Sequence, residues 1–264
     1  MRRSRLIAPI AGLAAALGIT LAMAAPAQAA SVNYVALGDS YSSGVGAGGE
    51  SGSCLQSQNA YSALWASANS PASYQTVACS GATTDDVNGS QVSALSADTT
   101  LVSITIGGND VGFANIMQTC ALQGTTACVN AVQAAEDTAR SEMPGKLDNT
   151  YANIRSHAPN AHVVVLSYPV FYQLNTSGCV GLSETSRAKI DEGINLLDDI
   201  TRDAVGRQSG FAFADVRDIW VGHQLCSGGT KWLHALNFAD ITESYHPTAA
   251  GQSGGYLPVF SSAA

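Results

Sequence analysis

Five short apolar runs alternate with longer stretches of helical period, and that alternation confines the chain to a narrow set of folds. The runs are Asn33–Leu37, Tyr74–Ala78, Leu101–Ile106, His162–Tyr168 and Phe211–Asp215. Each is short enough for a strand, and Val163-Val164-Val165-Leu166 is the strongest because it is apolar on both faces. Between them, Asn59–Asn69 carries Tyr61, Leu64, Trp65 and Ala68 at helical spacing, and Ser183–Arg207 carries Ile190, Ile194, Leu197 and Ile200 on one side. Val129–His157 has a helical pattern with a break or bend expected at Pro144-Gly145. Pro247 is expected to open a final helix, where its missing N–H costs nothing. Strands alternating with helices predict an α/β fold, a parallel sheet of about five strands covered on both faces.

The first twenty-nine residues stand apart from this pattern. Arg2, Arg3 and Arg5 precede an apolar core from Leu6 to Ala25, and Ala27-Gln28-Ala29 is a small-x-small cleavage site. That is the form of a secretory signal peptide, not of an uncleaved membrane anchor, and the twin-arginine motif is incomplete beyond Arg2-Arg3. Residues 30–264 then form a single domain, with no linker, repeat or later apolar span. Without the three signal arginines the chain has nine basic and twenty acidic residues, a net charge of −11. Such a balance disfavours nucleic acid and docking on anionic lipid.

All six cysteines, Cys54, Cys79, Cys120, Cys128, Cys179 and Cys226, fall after the signal. An even count in an exported chain reads as three disulfides, for which composition allows fifteen connectivities; sequential pairing is the simplest. No cysteine pair has metal-ligand spacing and no histidine stands in a finger pattern, so no metal is expected.

Parallel strands end on one edge, where open α/β sheets hold their ligands. Three of those ends run into small polar loops: Gly38-Asp39-Ser40, Ser80-Gly81 and Gly107-Gly108-Asn109-Asp110. A fourth segment, Glu243-Ser244-Tyr245-His246-Pro247, lies near the C-terminus. Ester hydrolysis needs a nucleophile, a base and donors aimed at the developing oxyanion. Ser40 is the candidate nucleophile and His246 the base. The N–H groups of Ser40 and Gly81 and the side-chain amide of Asn109 are the candidate donors, since glycine permits close approach and Asn donates without adding a base.

These four blocks, in this order and across nearly the whole chain after the signal, resemble a GDSL/SGNH hydrolase. The resemblance implies a three-layer α/β/α, flavodoxin-like fold with Ser40, Gly81, Asn109 and His246 in the active site. More closely, the chain is similar to secreted actinobacterial lipases, esterases and phospholipases of that family, and this implies the pairing 54–79, 120–128 and 179–226. The family places an Asp three residues before its histidine, whereas here Glu243 stands there. Either Glu243 reaches the imidazole, or a main-chain carbonyl, that of Ser244, accepts from Nδ1–H; the rigid run into Pro247 favours the carbonyl.

The reading is a secreted serine ester hydrolase acting on fatty-acyl esters, a lipase first and a phospholipase A1 second. It needs no cofactor, takes a lipid or small ester substrate, binds no nucleic acid, has no permanent membrane anchor and is expected as a monomer. A carbohydrate acetyl esterase or a non-catalytic secreted binding protein are the rivals; the latter is expected to have lost Ser40, Asn109 or His246. His157, His162, His223 and His234 are assigned to surface, strand-end or capping positions. Asp85-Asp86 is assigned to a helix N-terminus. For Trp220, Trp232 and Phe238 core packing is the default reading, with an acyl-chain wall as the alternative.

Overall fold

The computed structural model describes residues 31–264; the signal segment read at residues 1–29 lies outside the described residues. Strand β1 (Asn33–Gly38) is followed by a helical turn α1 (Ser40–Ser43), helix α2 (Tyr61–Asn69) and strand β2 (Ser73–Thr76). Next come α3 (Thr84–Gly89), β3 (Leu101–Thr105), α4 (Phe113–Leu122) and α5 (Gly124–His157). Strand β4 (His162–Leu166), α6 (Glu184–Val205) and β5 (Phe211–Ala214) precede a C-terminal segment that ends in α7 (Leu257–Ala263). The sheet is wholly parallel with strand order β2-β1-β3-β4-β5, the flavodoxin-like order.

Register shows how the three layers arise. Val35, Val102, Val163 and Phe211 lie side by side across the sheet, and Phe211 packs on Tyr151 of α5. One residue earlier, Tyr34, Leu101 and His162 share the opposite face. There Tyr34 packs on Trp65 of α2 and Phe260 of α7, and His162 bonds the carbonyl of Ala263. Successive side chains point to opposite faces, so α5 covers one face while α2 and α7 cover the other.

Three expectations need correction. Helix α4 was not anticipated, and α5 starts at Gly124, so the Cys120–Cys128 bridge spans the α4–α5 turn. Helix α5 is unbroken at Pro144: the fully buried Met143 and Leu147 hold that turn in place, so packing outweighs the hydrogen bond that proline removes. Pro247 does not open the last helix. It forms a bridge with Leu233, and Thr248 caps the helix by accepting from the Gly251 N–H. That helix passes through a π segment, Gly251–Tyr256, immediately before Pro258, whose ring nitrogen has no hydrogen to donate.

The cysteines pair sequentially, 54–79, 120–128 and 179–226. Asp85 and Asp86 lie in the first turn of α3, where Thr83 and Asp86 form a capping box.

Candidate active site

Residues Gly38 to Ser40 turn the chain from β1 into α1 at the carboxyl edge of the sheet. Gly38 has φ +122, and a Cβ there would stand 2.4 Å from the Thr105 carbonyl oxygen, so the turn accepts only glycine. Strand β2 has already ended beside it. The Gln91 amide takes its place, accepting from the Gly38 N–H at 2.7 Å and donating to the Gly38 carbonyl at 2.9 Å.

Asp39 is buried and caps α1. Its carboxylate accepts from the Tyr41 N–H at 3.0 Å, from the Thr105 hydroxyl at 2.7 Å and from the Tyr168 hydroxyl. Burial raises its carboxyl to about 6, and these three donors oppose the rise. The Tyr168 oxygen in turn accepts from the Gly108 N–H at 3.1 Å. One phenol therefore joins the turn that carries Ser40 to the loop that carries Asn109.

Ser40 follows Asp39, and its hydroxyl lies 2.8 Å from His246 Nε2. His246 reaches it from a loop closed at its base: His234 N–H donates to the His246 carbonyl at 2.9 Å, and Tyr245 N–H to the His234 carbonyl at 3.0 Å. Tyr245 has φ +63, a left-handed conformation that side chains rarely adopt, and it turns the chain back toward Ser40. Tyr41, the residue after Ser40, secures that turn by donating its hydroxyl to the Tyr245 carbonyl at 2.5 Å. Gly46 approaches from the other side. A Cβ there would be 3.2 Å from His246 Cβ and 3.0 Å from His234 Cδ2.

Burial pushes the His246 imidazole down to about 4. The main-chain carbonyls of Ser244, Thr242 and Glu243, in that order, act against the fall, while His234 adds to it. The Glu243 side chain is engaged elsewhere: one oxygen accepts from the Asn237 amide at 2.8 Å and the other lies 3.7 Å from His234 Nδ1. His246 Nδ1 is buried, with no partner in full hydrogen-bond geometry among the described residues.

Ser40 and Asn109 line one cavity. The Asn109 amide donates one N–H to the Ala82 carbonyl at 2.9 Å and so ties its loop to the Gly81 turn. Gly81 has φ +82 with open space where a Cβ would stand, so backbone conformation, not crowding by the protein, demands glycine. The Cys54–Cys79 bridge and the Ser80 N–H to Cys54 carbonyl bond, 3.1 Å, pin that turn.

From Ser40 and Asn109 the cavity runs between α4, α5 and α6, past Phe113, Met117, Ala139, Leu197, Ile194 and Val132. Ala139 to Val132 is two turns of α5, about 10 Å along the helix. Glu136 also faces it, buried and paired with Lys189 Nζ at 2.8 Å. The alternative of an acyl-chain wall is not met: Trp220, Trp232 and Phe238 do not line this cavity. Trp220 is fully buried against Gly255 and Tyr256, and Trp232 lies over Gly254 and stacks on His223. Phe238 is 74% exposed. Trp220 and Trp232 close the glycine-rich C-terminal helix, a contact that their spacing does not reveal.

His157 and His162 bond main-chain carbonyls at an exposed helix end and a strand start. His223 donates to the Thr230 carbonyl, whereas His234 lies beside the site and bonds the Gly46 carbonyl at 2.8 Å. No cluster of metal-binding side chains occurs among the described residues.

The model of the GDSL-like Lipase/Acylhydrolase family matches residues 36–253, which holds all four sequence blocks. The chain belongs to that family. It is 52% identical to Lipase 1 of Streptomyces coelicolor over the full length of both chains. Among solved structures, phospholipase A1 of Streptomyces albidoflavus NA297 superposes with a TM-score of 0.86 at 50% identity, covering 89% of this chain and 100% of that one. The extracellular lipase of Streptomyces rimosus gives the same TM-score and coverage at 49% identity. This GDSL-family chain is accordingly a carboxylic ester hydrolase. The roles of Tyr41, Tyr168 and Gly46 within it were not read from the sequence, because each depends on a long-range main-chain contact.

Proposed function

We propose that this hydrolase is a secreted lipase that cleaves fatty-acyl esters through a covalent acyl-enzyme on Ser40, with residues 1–29 as its export signal. The observation that carries the reading is the Ser40–His246 contact of 2.8 Å at the mouth of an apolar cavity. His246 Nε2 takes the Ser40 proton as Oγ attacks the acyl carbonyl. The N–H groups of Ser40 and Gly81 and the free N–H of Asn109 receive the oxyanion. His246 returns the proton to the leaving alcohol, and water activated by the same nitrogen releases the acid. We infer that the Ser244 carbonyl, with that of Thr242, keeps the proton on Nδ1, in place of a third acidic residue. The apolar walls receive the acyl chain.

Similarity to the phospholipase A1 supports a second reading, in which a phospholipid is the preferred ester. Ser40→Ala should remove ester hydrolysis, on the order of 10⁶ in kcat, from a chain that still folds. A variant keeping a tenth of the rate would refute the mechanism. A panel of p-nitrophenyl esters, triacylglycerol and phosphatidylcholine with different acids at its two positions separates the two readings.

A further inference from the structure

Large apolar side chains left in water are unevenly placed on this molecule. Six are exposed among the described residues, and five of them, Val180, Ile219, Val221, Phe238 and Ile241, lie in connections that leave the carboxyl edge of the sheet. That is the edge on which Ser40 stands. Phe238 and Ile241, 74% and 62% exposed, share one loop, and its two ends are His234 and His246. The Leu233–Pro247 bridge and the paired His234–His246 and Tyr245–His234 main-chain bonds close the loop at its base. Inside it, Asn237 bonds Ser244 and Glu243, so the tip is held out rather than folded down.

We propose that the Phe238–Ile241 tip is an anchor for a neutral or zwitterionic lipid surface, and that it aims the cavity mouth at that surface. The proposal rests on the reading of the chain as a hydrolase of lipid esters. Two side chains are too small an area for a stable protein partner, which needs about 800 Å² per side, whereas a lipid surface accepts side chains singly. Charge selects the kind of lipid. The connection from Asp215 to Thr248 contains two Lys or Arg residues, and both are engaged within the protein. Arg217 is held by Asp215 and Asp199, and Lys231 by the carbonyls of Ser227 and Gly229. Asp240 and Glu243 flank the tip itself. Adsorption to anionic lipid draws on free cations, which this rim lacks.

The anchor and the base belong to one closed loop, so a surface that holds the tip also fixes the direction from which an ester reaches Ser40. The test uses Phe238→Ser/Ile241→Ser in two backgrounds. In Ser40→Ala protein, which leaves lipid intact, co-sedimentation with phosphatidylcholine vesicles should weaken by about tenfold or more per side chain lost. In active protein, turnover of soluble p-nitrophenyl butyrate should stay within about twofold, while hydrolysis of vesicle phosphatidylcholine falls with the binding. Unchanged vesicle binding overturns the proposal. An equal loss on the soluble ester also overturns it, because the tip would then serve to hold His246. Binding that requires phosphatidylglycerol, or a dimer in solution that the substitutions disperse, would assign the tip to another partner. If the unsubstituted chain hydrolyses no ester at all, the hydrolase reading fails instead, and vesicle binding still tests the anchor on its own.

Discussion

At the scale of single residues, the proposed catalysis depends on how His246 is held. Glu243 is bound to Asn237 and lies near His234, so Glu243→Gln should keep ester turnover within about tenfold, whereas loss of a true triad acid costs nearer 10⁴. A thousandfold loss with an intact fold would restore Glu243 as the third member. Tyr41→Phe removes only the bond to the Tyr245 carbonyl and should lower kcat by about tenfold with KM unchanged. A rise in KM alone would place Tyr41 in substrate binding. Burial also sets the pH response. His246 titrates near 4 in the folded chain, below its ordinary 6.5, so between those values the unfolded chain binds more protons. Its contribution to stability is therefore complete above 6.5 and is lost as pH falls toward 4. Asp39 has the opposite sign: raised from 3.8 to about 6, its contribution is complete below 3.8 and lost as pH rises through 6. The acid limb of kcat/KM on a neutral soluble ester should lie near pH 4. A limb near 6.5 would mean a solvated imidazole; one near 6 that disappears in Asp39→Asn would belong to Asp39.

At the scale of elements, the C-terminal helix is the most tightly fitted piece. A Cβ on Gly255 would stand 2.2 Å from Cζ3 of Trp220, a wholly buried ring that cannot yield. Gly255→Ala should cost about 1–3 kcal/mol in denaturant unfolding, and an unchanged midpoint would show that the ring moves aside. This fit was not legible in the sequence, where Trp220 and Trp232 carry no period that names their partner. The strands were legible because β3 and β4 are buried along nearly their whole length, so that β4 reads as a continuous apolar run after His162 and only Ser103 and Thr105 interrupt β3. Helix α4 was not, since Gly112 precedes it at φ +79 with no side-chain cap and the stretch is only ten residues long. Pro144 misled for the reason that makes propensity a weak guide: the packing of Met143 and Leu147 decides that turn.

At the scale of the whole molecule, the four blocks pointed to the site because parallel strands bring their ends to one edge whatever lies between them. The cavity could not be read the same way. Val132, Ala139, Ile194 and Leu197 recur at helical spacing as any core residues would, and only the packing of α5 against α6 leaves space between them. Ala135→Phe should fill that space and lower kcat/KM for long-chain p-nitrophenyl esters by about tenfold or more while sparing the acetate, since lost chain burial is worth about 0.8 kcal/mol per methylene. An equal fall for both esters would place the acyl chain elsewhere. The same architecture brings together Ser40 and His246, 206 residues apart in sequence. Gln252, later still, donates to the Tyr41 carbonyl at 3.0 Å and accepts from the Tyr61 N–H at 2.9 Å, so the end of the chain also braces the turn made at its start. In the proposed mechanism the nucleophile is thus synthesised early and its base almost last. Under the proposed mechanism, a growing or truncated chain that stops before His246 would carry a serine with nothing to take its proton, and would leave the lipids of the cell that makes it untouched.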